Sequence, residues 1–327
     1  EERIAALEGG RYTLLAPSGL AALALTNLAL LKSGDEVLLP DNAYGPGLEF
    51  ARTELVRLGI GHKVYQAMNP ASLQACLSSS TRLVWLEAAG SVTMEFPDLQ
   101  ALTRIARKAD ARVALDNTWG AGLAFNAFEL GGGWGVDLTV HALTKYPSGG
   151  ADVLMGSVTT VSEGLHHELK LAHMRLGLGV GANDAELVLR GLSSIALRYD
   201  AQDRAARELA QFLQARPEVR SVLHPAFAGS PGHEHWRALC TGAAGLFSVL
   251  LDERYSVAQV DAFIDSLKYF KIGFSWGGPV SLVVPYDLRS MRGADCPYKG
   301  CLVRFSIGLE EPAALIDDLT SAFAILG

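Results

Sequence analysis

Four cysteines in 327 residues, scattered as Cys76, Cys240, Cys296 and Cys301, are too few and too dispersed for a disulfide framework. The nearest pair, Cys296 and Cys301, lacks the second CxxC or histidine cluster that a structural zinc site needs, so no metal is expected. Free thiols fit a reducing cytoplasm. Only 19% of residues are charged, no long basic block occurs, and the formal net charge is −7. Nucleic acid and anionic membrane are therefore excluded as natural partners. No apolar run is long and uninterrupted enough to span a bilayer, and "EERIAALEGG" at the start has no signal-peptide pattern. No GxGxxG follows the first strand-like run, and "GGGWG" at residues 131–135 lacks the strand–turn–helix setting of a dinucleotide fingerprint. That stretch reads as a loop insertion, and a dinucleotide-dependent dehydrogenase or a non-catalytic ligand-binding α/β protein is disfavoured. Internal repeats and low-complexity linkers are absent as well.

Nearly half of the chain is hydrophobic, and its length suits two packed domains. "ERIAALEGG" reads as the end of an amphipathic helix stopped by Gly9 and Gly10, and opening in mid-helix predicts a segment missing upstream. Up to about residue 160, helical patterns alternate with short β-rich runs. The runs "DEVLLP", "GHKVYQ", "TRLVWLEA", "ARVALDNT", "VDLTVHAL" and "DVLMGSVTTV" are expected strands. "SGLAALALTNLALLKSG", "GPGLEFARTELVRLG", "PASLQACLSSS" and "FPDLQALTRIARKA" are the helices between them, the last opened by Pro97 and Asp98. Such alternation predicts a three-layer α/β domain with a mostly parallel sheet, over residues 1–191. A helical stretch then leads into residues 192–327, where shorter strands such as "GLFSVLLD" and "CLVRFSIGLE" predict a smaller α/β domain with an antiparallel sheet.

Ligands in open α/β sheets sit beyond the carboxyl ends of the strands. Four positions there could meet. Ser18, Gly19 and Leu20 form the first turn of a helix, whose free N–H groups and dipole favour phosphate, although a serine cap alone is commonplace. Tyr44 follows the strand "DEVLLP" and could stack on a flat ring or merely pack. Asp116 ends an apolar strand, where a carboxylate needs a partner, structural or catalytic. Lys145, in "HALTKYPSGG", follows a strand, where lost hydration lowers an amine's pKa and leaves it nucleophilic. Phosphate site, aromatic plate, acid and amine together match pyridoxal 5'-phosphate (PLP), with its phosphate, flat ring, basic nitrogen and aldehyde.

With "LDNTWGAG", "LTKYPSGGADVLMGSV", "SGLAA" and "NAYGP" in view, the chain resembles the trans-sulfuration family of fold-type I PLP enzymes over essentially its whole length. "LEAAGSVTMEFPDL" and "GFSWGGPVSLVVP" look most like its bacterial cystathionine β-lyase branch. The resemblance implies that Lys145 forms the Schiff base with PLP and later shuttles protons, while Asp116 keeps the ring nitrogen protonated. It implies that Tyr44 stacks on the ring, that Ser18, Gly19, Leu20, Thr118 and Thr144 complete the cofactor site, and that Arg304 grips the substrate carboxylate. Ser91, Ser275 and Trp276 would line the substrate site. The implied reaction is β-elimination from cystathionine or a related cysteine S-conjugate, giving a thiol, pyruvate and ammonia. The alternative is a γ-acting relative, whose usual Asn-Pro stands where this chain has Ser91 and Val92. A cytoplasmic homotetramer built from dimers is implied too, with a tyrosine and an arginine donated across the interface from the upstream segment. Three departures stand out: Ala142 where many members have serine, Gly149-Gly150-Ala151-Asp152 for Gly-His-Ser-Asp, and Ala88-Ala89 for Ser-Pro. Other tempting residues have bland readings: His166, His167 and His173 as a solvated helix face, and Met155 and Met174 as gap-fillers.

Overall fold

The computed structural model describes residues 1–292 and 296–326. Seven strands form the larger sheet: β1 (Tyr12–Ala16), β2 (Glu36–Pro40), β3 (Gly61–Tyr65), β4 (Thr81–Glu87), β5 (Arg112–Asp116), β6 (Leu138–His141) and β7 (Gly156–Thr160). Their order is β1-β7-β6-β5-β4-β2-β3; β7 runs antiparallel to both neighbours and every other adjacent pair is parallel. Helices α1 (Glu2–Glu8), α2 (Gly19–Leu30), α3 (Gly45–Phe50), α4 (Pro70–Cys76), α5 (Leu99–Lys108) and α6 (Glu163–Leu176) accompany this sheet. Leu83, Val84, Trp85 and Leu86 of β4 are all buried, because helices cover both faces of the sheet. From β4 the chain steps to β5 and β6 on one side, while β2 and β3 lie on the other. The strand order thus reverses between β2 and β4, and the loops leaving their carboxyl ends diverge to open a crevice.

Helices α7 (Ala182–Leu192) and α8 (Ile195–Gln214) lead to the second sheet. It contains β8 (Val219–Leu223), β9 (Leu246–Leu251), β10 (Lys271–Ile272), β11 (Leu282–Tyr286) and β12 (Leu302–Ser306), in the order β10-β11-β12-β9-β8. Helices α9 (His233–Leu239), α10 (Val257–Asp265), α11 (Leu288–Arg292) and α12 (Pro312–Phe323) complete the chain. The core under this sheet is aromatic: Phe247 and Phe305 stack at 5.6 Å between ring centres, and Phe263 meets Phe323 at 4.8 Å. The antiparallel expectation holds except at one edge, where β10 pairs parallel with β11. The connection between them, residues 273–281, swings out toward the larger sheet, so the chain returns in its original direction.

Three local expectations need correction. "DVLMGSVTTV" becomes strand only from Gly156, because Met155 spends its backbone N–H on the Thr144 hydroxyl at 3.1 Å. Met174 is 64% exposed and fills no gap. His166 and His173 are not a purely solvated face: His166 stacks on Tyr12 at 5.1 Å, and His173 Nε2 lies 2.9 Å from the Leu15 carbonyl. All four cysteines are free thiols. Among the described residues, no helix is long and apolar enough to cross a membrane.

Tyr146 ties the two sheets together. Its ring is fully buried against Tyr199 and Trp276, and its hydroxyl accepts the Gly245 N–H at 2.8 Å. Tyr146→Phe strands that buried N–H and is expected to cost about 1–3 kcal/mol of folding stability. An unchanged midpoint in urea unfolding would contradict it.

Candidate active site

Four strand ends of the larger sheet deliver side chains to the crevice. Beyond β2 the chain reaches Tyr44, the residue that precedes α3. β4 ends at Glu87 and β5 at Asp116, and these two stand opposite each other in parallel register. Just past β6 comes Lys145. The first turn of α2 faces the same region: the Ser18 hydroxyl caps it by accepting the Ala21 N–H at 3.0 Å, while the N–H groups of Gly19 and Leu20 have no partner among the described residues. Glycine is required at 19, since a Cβ there would lie 2.7 Å from the Ala142 Cβ. The missing side chain lets the helix end approach the loop that carries Lys145.

Lys145 Nζ donates to Ser275 Oγ at 2.9 Å and lies 5.3 Å from the centre of the Trp276 ring. Burial, reinforced by the Arg304 charge and opposed by Asp116, pulls its pKa down to about 8. Asp116 is pushed the other way, upward, by burial. Thr118 limits that rise, its N–H and hydroxyl donating to Asp116 Oδ1 at 3.0 and 2.5 Å. The Thr118 hydroxyl in turn accepts the Ala142 N–H at 3.0 Å, which fixes the acid to the lysine loop. Tyr44 is 43% exposed, and burial of its inner half together with Asp116 and Glu87 raises its phenol pKa.

The second sheet supplies the opposite wall. Ser275 and Trp276 lie in the connection between β10 and β11, and Arg304 lies on β12. Arg304 is only 7% exposed, its guanidinium 5.1 Å from the Tyr286 ring centre and donating to the Phe274 carbonyl at 2.8 Å.

The residues singled out in the sequence therefore converge on one crevice, but two of them have different company from that expected. Thr118 holds Asp116, and the Thr144 hydroxyl is engaged with the Met155 backbone, accepting its N–H and donating to its carbonyl at 3.3 Å. Sequence reasoning gave no role to Glu87 or Tyr286. Glu87 accepts the Tyr44 N–H at 2.6 Å and the Ser91 hydroxyl at 2.5 Å. A signal for it was available: an acid closing the apolar run "LVWLE" has the same form as Asp116 closing "VALD". Tyr286 carried none, because only the β11–β12 pairing brings it near Arg304.

Comparison with known proteins identifies what the chain resembles. The family model described as Cys/Met metabolism PLP-dependent enzyme matches residues 1–324. Cystathionine beta-lyase of Bordetella avium is 40% identical, with 98% of this chain and 80% of the relative covered. The L-alanine/L-glutamate racemase of Wolbachia pipientis is 34% identical over 99% of this chain and 79% of its own. Among solved structures, cystathionine gamma synthase from Xanthomonas oryzae, in complex with aminoacrylate and cysteine, superposes with a TM-score of 0.91 at 29% identity. That match covers 98% of this chain and 83% of the other. The activities in these names diverge: a lyase, a racemase and a synthase.

Burial of the lysine has a pH signature. Its amine moves from an ordinary 10.5 in the unfolded chain to about 8 in the folded one. Between those values the unfolded chain keeps the proton and the folded protein does not, so the cost of burying the charge is full below about 8 and fades as pH rises. In cofactor-free protein, Lys145→Met is expected to raise the urea midpoint at neutral pH, by a margin that shrinks between about pH 8 and 10.5. A margin constant across that range would contradict the burial of the amine.

Proposed function

The chain belongs to the Cys/Met metabolism family of PLP-dependent enzymes, and from that premise we propose a carbon–sulfur β-lyase acting on L-cystathionine or a related cysteine S-conjugate. The observation that carries the reading is Lys145 Nζ, hydrogen-bonded to Ser275 and flanked by the charges of Asp116 and Arg304. The residues fit PLP in three respects. Free N–H groups at the first turn of α2 suit a phosphate. A buried Asp116, costly without a cation, suits a protonated ring nitrogen. An amine brought down to about 8 suits an aldehyde. When bound, PLP would supply that aldehyde and a ring able to withdraw electrons from the substrate α-carbon.

The protein's own groups do the rest. Arg304, nearly free of water, pairs its planar fork with the substrate carboxylate and orients the α-carbon. Lys145 Nζ takes the α-proton and returns a proton to the departing sulfur. Tyr44, whose raised pKa keeps its phenol protonated at neutral pH, is a second donor to that sulfur. Trp276 and Ser275 exclude water on the far side of the amine. Ser91-Val92, in place of the Asn-Pro that the resemblance associates with γ-acting relatives, supports β over γ cleavage, as does the likeness to the Bordetella β-lyase. In this reading residues 1–191 carry the cofactor and residues 192–327 close the substrate side, in a cytoplasmic homotetramer. Leu154, Met174 and Leu197, each more than 60% exposed, leave apolar surface that a second copy would cover.

Incubation of the PLP-loaded protein with cystathionine is expected to yield pyruvate in large excess over 2-oxobutyrate; the reverse ratio rejects β cleavage. Arg304→Lys keeps the charge but loses the fork, and is expected to raise KM for the amino acid roughly tenfold to a hundredfold. A KM within about twofold of the parent's would remove Arg304 from carboxylate binding.

A further inference from the structure

We infer that Glu87 is a positioning residue that joins Tyr44 and Ser91, the cofactor side and the substrate side of the crevice, into one unit beside Asp116. The inference rests on the reading that PLP lies between Tyr44 and Asp116. It concerns a residue to which neither the family resemblance nor the sequence gave a role.

Three observations carry it. Each oxygen of the carboxyl is spent on a different element: Oε2 accepts the Tyr44 backbone N–H at 2.6 Å, and Oε1 pairs with Ser91 Oγ at 2.5 Å. The Tyr44 N–H is the first orphan donor at the start of α3, a helix that opens with no side-chain cap of its own, so Glu87 stands in for that cap from another strand. The two loops are closed a second time by the Ser91 N–H on the Asn42 carbonyl at 2.8 Å, while Gly90 presses on the Asn42 side chain so closely that a Cβ would collide with it. The aromatic plate and the substrate-facing serine therefore cannot shift independently. Their common anchor is a 9%-exposed acid in register with Asp116.

The chemistry of the pair also says which replacement should preserve this role. Burial and the neighbouring Asp116 push the Glu87 carboxyl up to about 8, so a replacement that carries no charge is the fitting one. Glutamine keeps the shape and both bonds: its oxygen can accept the Tyr44 N–H, and its amide donates to Ser91 Oγ, whose hydroxyl turns round to accept. Alanine loses both bonds and leaves the Tyr44 N–H unpaired.

The test compares Glu87→Gln, Glu87→Ala and Ser91→Ala with the parent, reading PLP affinity, the visible circular dichroism of bound PLP, and KM and kcat. Glu87→Ala is expected to weaken PLP binding at least tenfold, to diminish the visible dichroism, and to raise KM. Glu87→Gln should keep PLP affinity within about threefold and restore the dichroism. Adding Ser91→Ala to Glu87→Ala should raise KM by less than it does in the parent background, since the shared bond is already gone. If Glu87→Ala does not fold, Glu87→Leu, which keeps the volume, carries the same expectations. PLP affinity and dichroism within about twofold of the parent in the alanine or leucine variant overturn the proposal. So does a glutamine variant as impaired as alanine, or fully additive KM effects. PLP affinity and dichroism do not depend on which substrate bond is cleaved, so 2-oxobutyrate as the main product would reject the β-lyase reading and leave this comparison intact.

Discussion

The Lys145 amine has lost much of its hydration and gained one neutral partner, the Ser275 hydroxyl at 2.9 Å. Burial and the nearby guanidinium of Arg304 make its positive charge expensive; Asp116 alone among the perturbing charges makes it cheaper. The protein does not relieve this expense, and the rest of the site is arranged around it. An amine that gives up its proton more readily than an ordinary lysine is useful only if something with an aldehyde can reach it. In the proposed reading, the helix end at Ser18–Gly19–Leu20, the plate of Tyr44 and the acid of Asp116 hold such a molecule in reach.

Carboxylates obey the same constraint with opposite sign. Glu87 and Asp116 end neighbouring parallel strands on one face, which sets two acids side by side in a buried place. Neither is left to itself. Thr118 gives Asp116 two donors, and the Tyr44 N–H and Ser91 hydroxyl give Glu87 two more. Hydrogen bonds of this kind offset part of the lost hydration, and each also fixes a loop that the active-site region needs fixed. Stability and positioning are thus served by the same contacts.

The connection between β10 and β11 is where the second sheet meets this chemistry. Its parallel edge pairing follows from the excursion that carries Ser275 and Trp276 to Lys145. Gly277, at φ 77°, makes the tight turn after Trp276 possible; a Cβ there would press on the Lys145–Tyr146 backbone at 3.1 Å. Tyr146, next to the lysine in sequence, packs on Trp276 and bonds to Gly245, so the residue following the reactive amine also welds the two sheets.

Much of this was legible in the residues. Alternating strand and helix patterns determined a parallel sheet, because a strand buried on both faces must be apolar through its middle, as Leu83–Leu86 of β4 and Val113–Leu115 of β5 are. An acid or amine at the end of such a strand stands out against that background, which is why Asp116 and Lys145 could be named, and why Glu87 could have been. Other features depend on partners far away in the chain. Thr118 turned out to link Asp116 to the Ala142 N–H, Tyr286 to flank Arg304, and Glu87 to reach back 43 positions to Tyr44 while holding Ser91, 4 ahead. Hydrogen-bond partnership depends on distance and direction within a few tenths of an ångström, and sequence spacing carries that information only inside a helix or along a strand. The sequence by itself determined which chemical groups stand at the crevice; the tertiary structure decided which of them hold one another, since only packing brings separate loops to bonding distance.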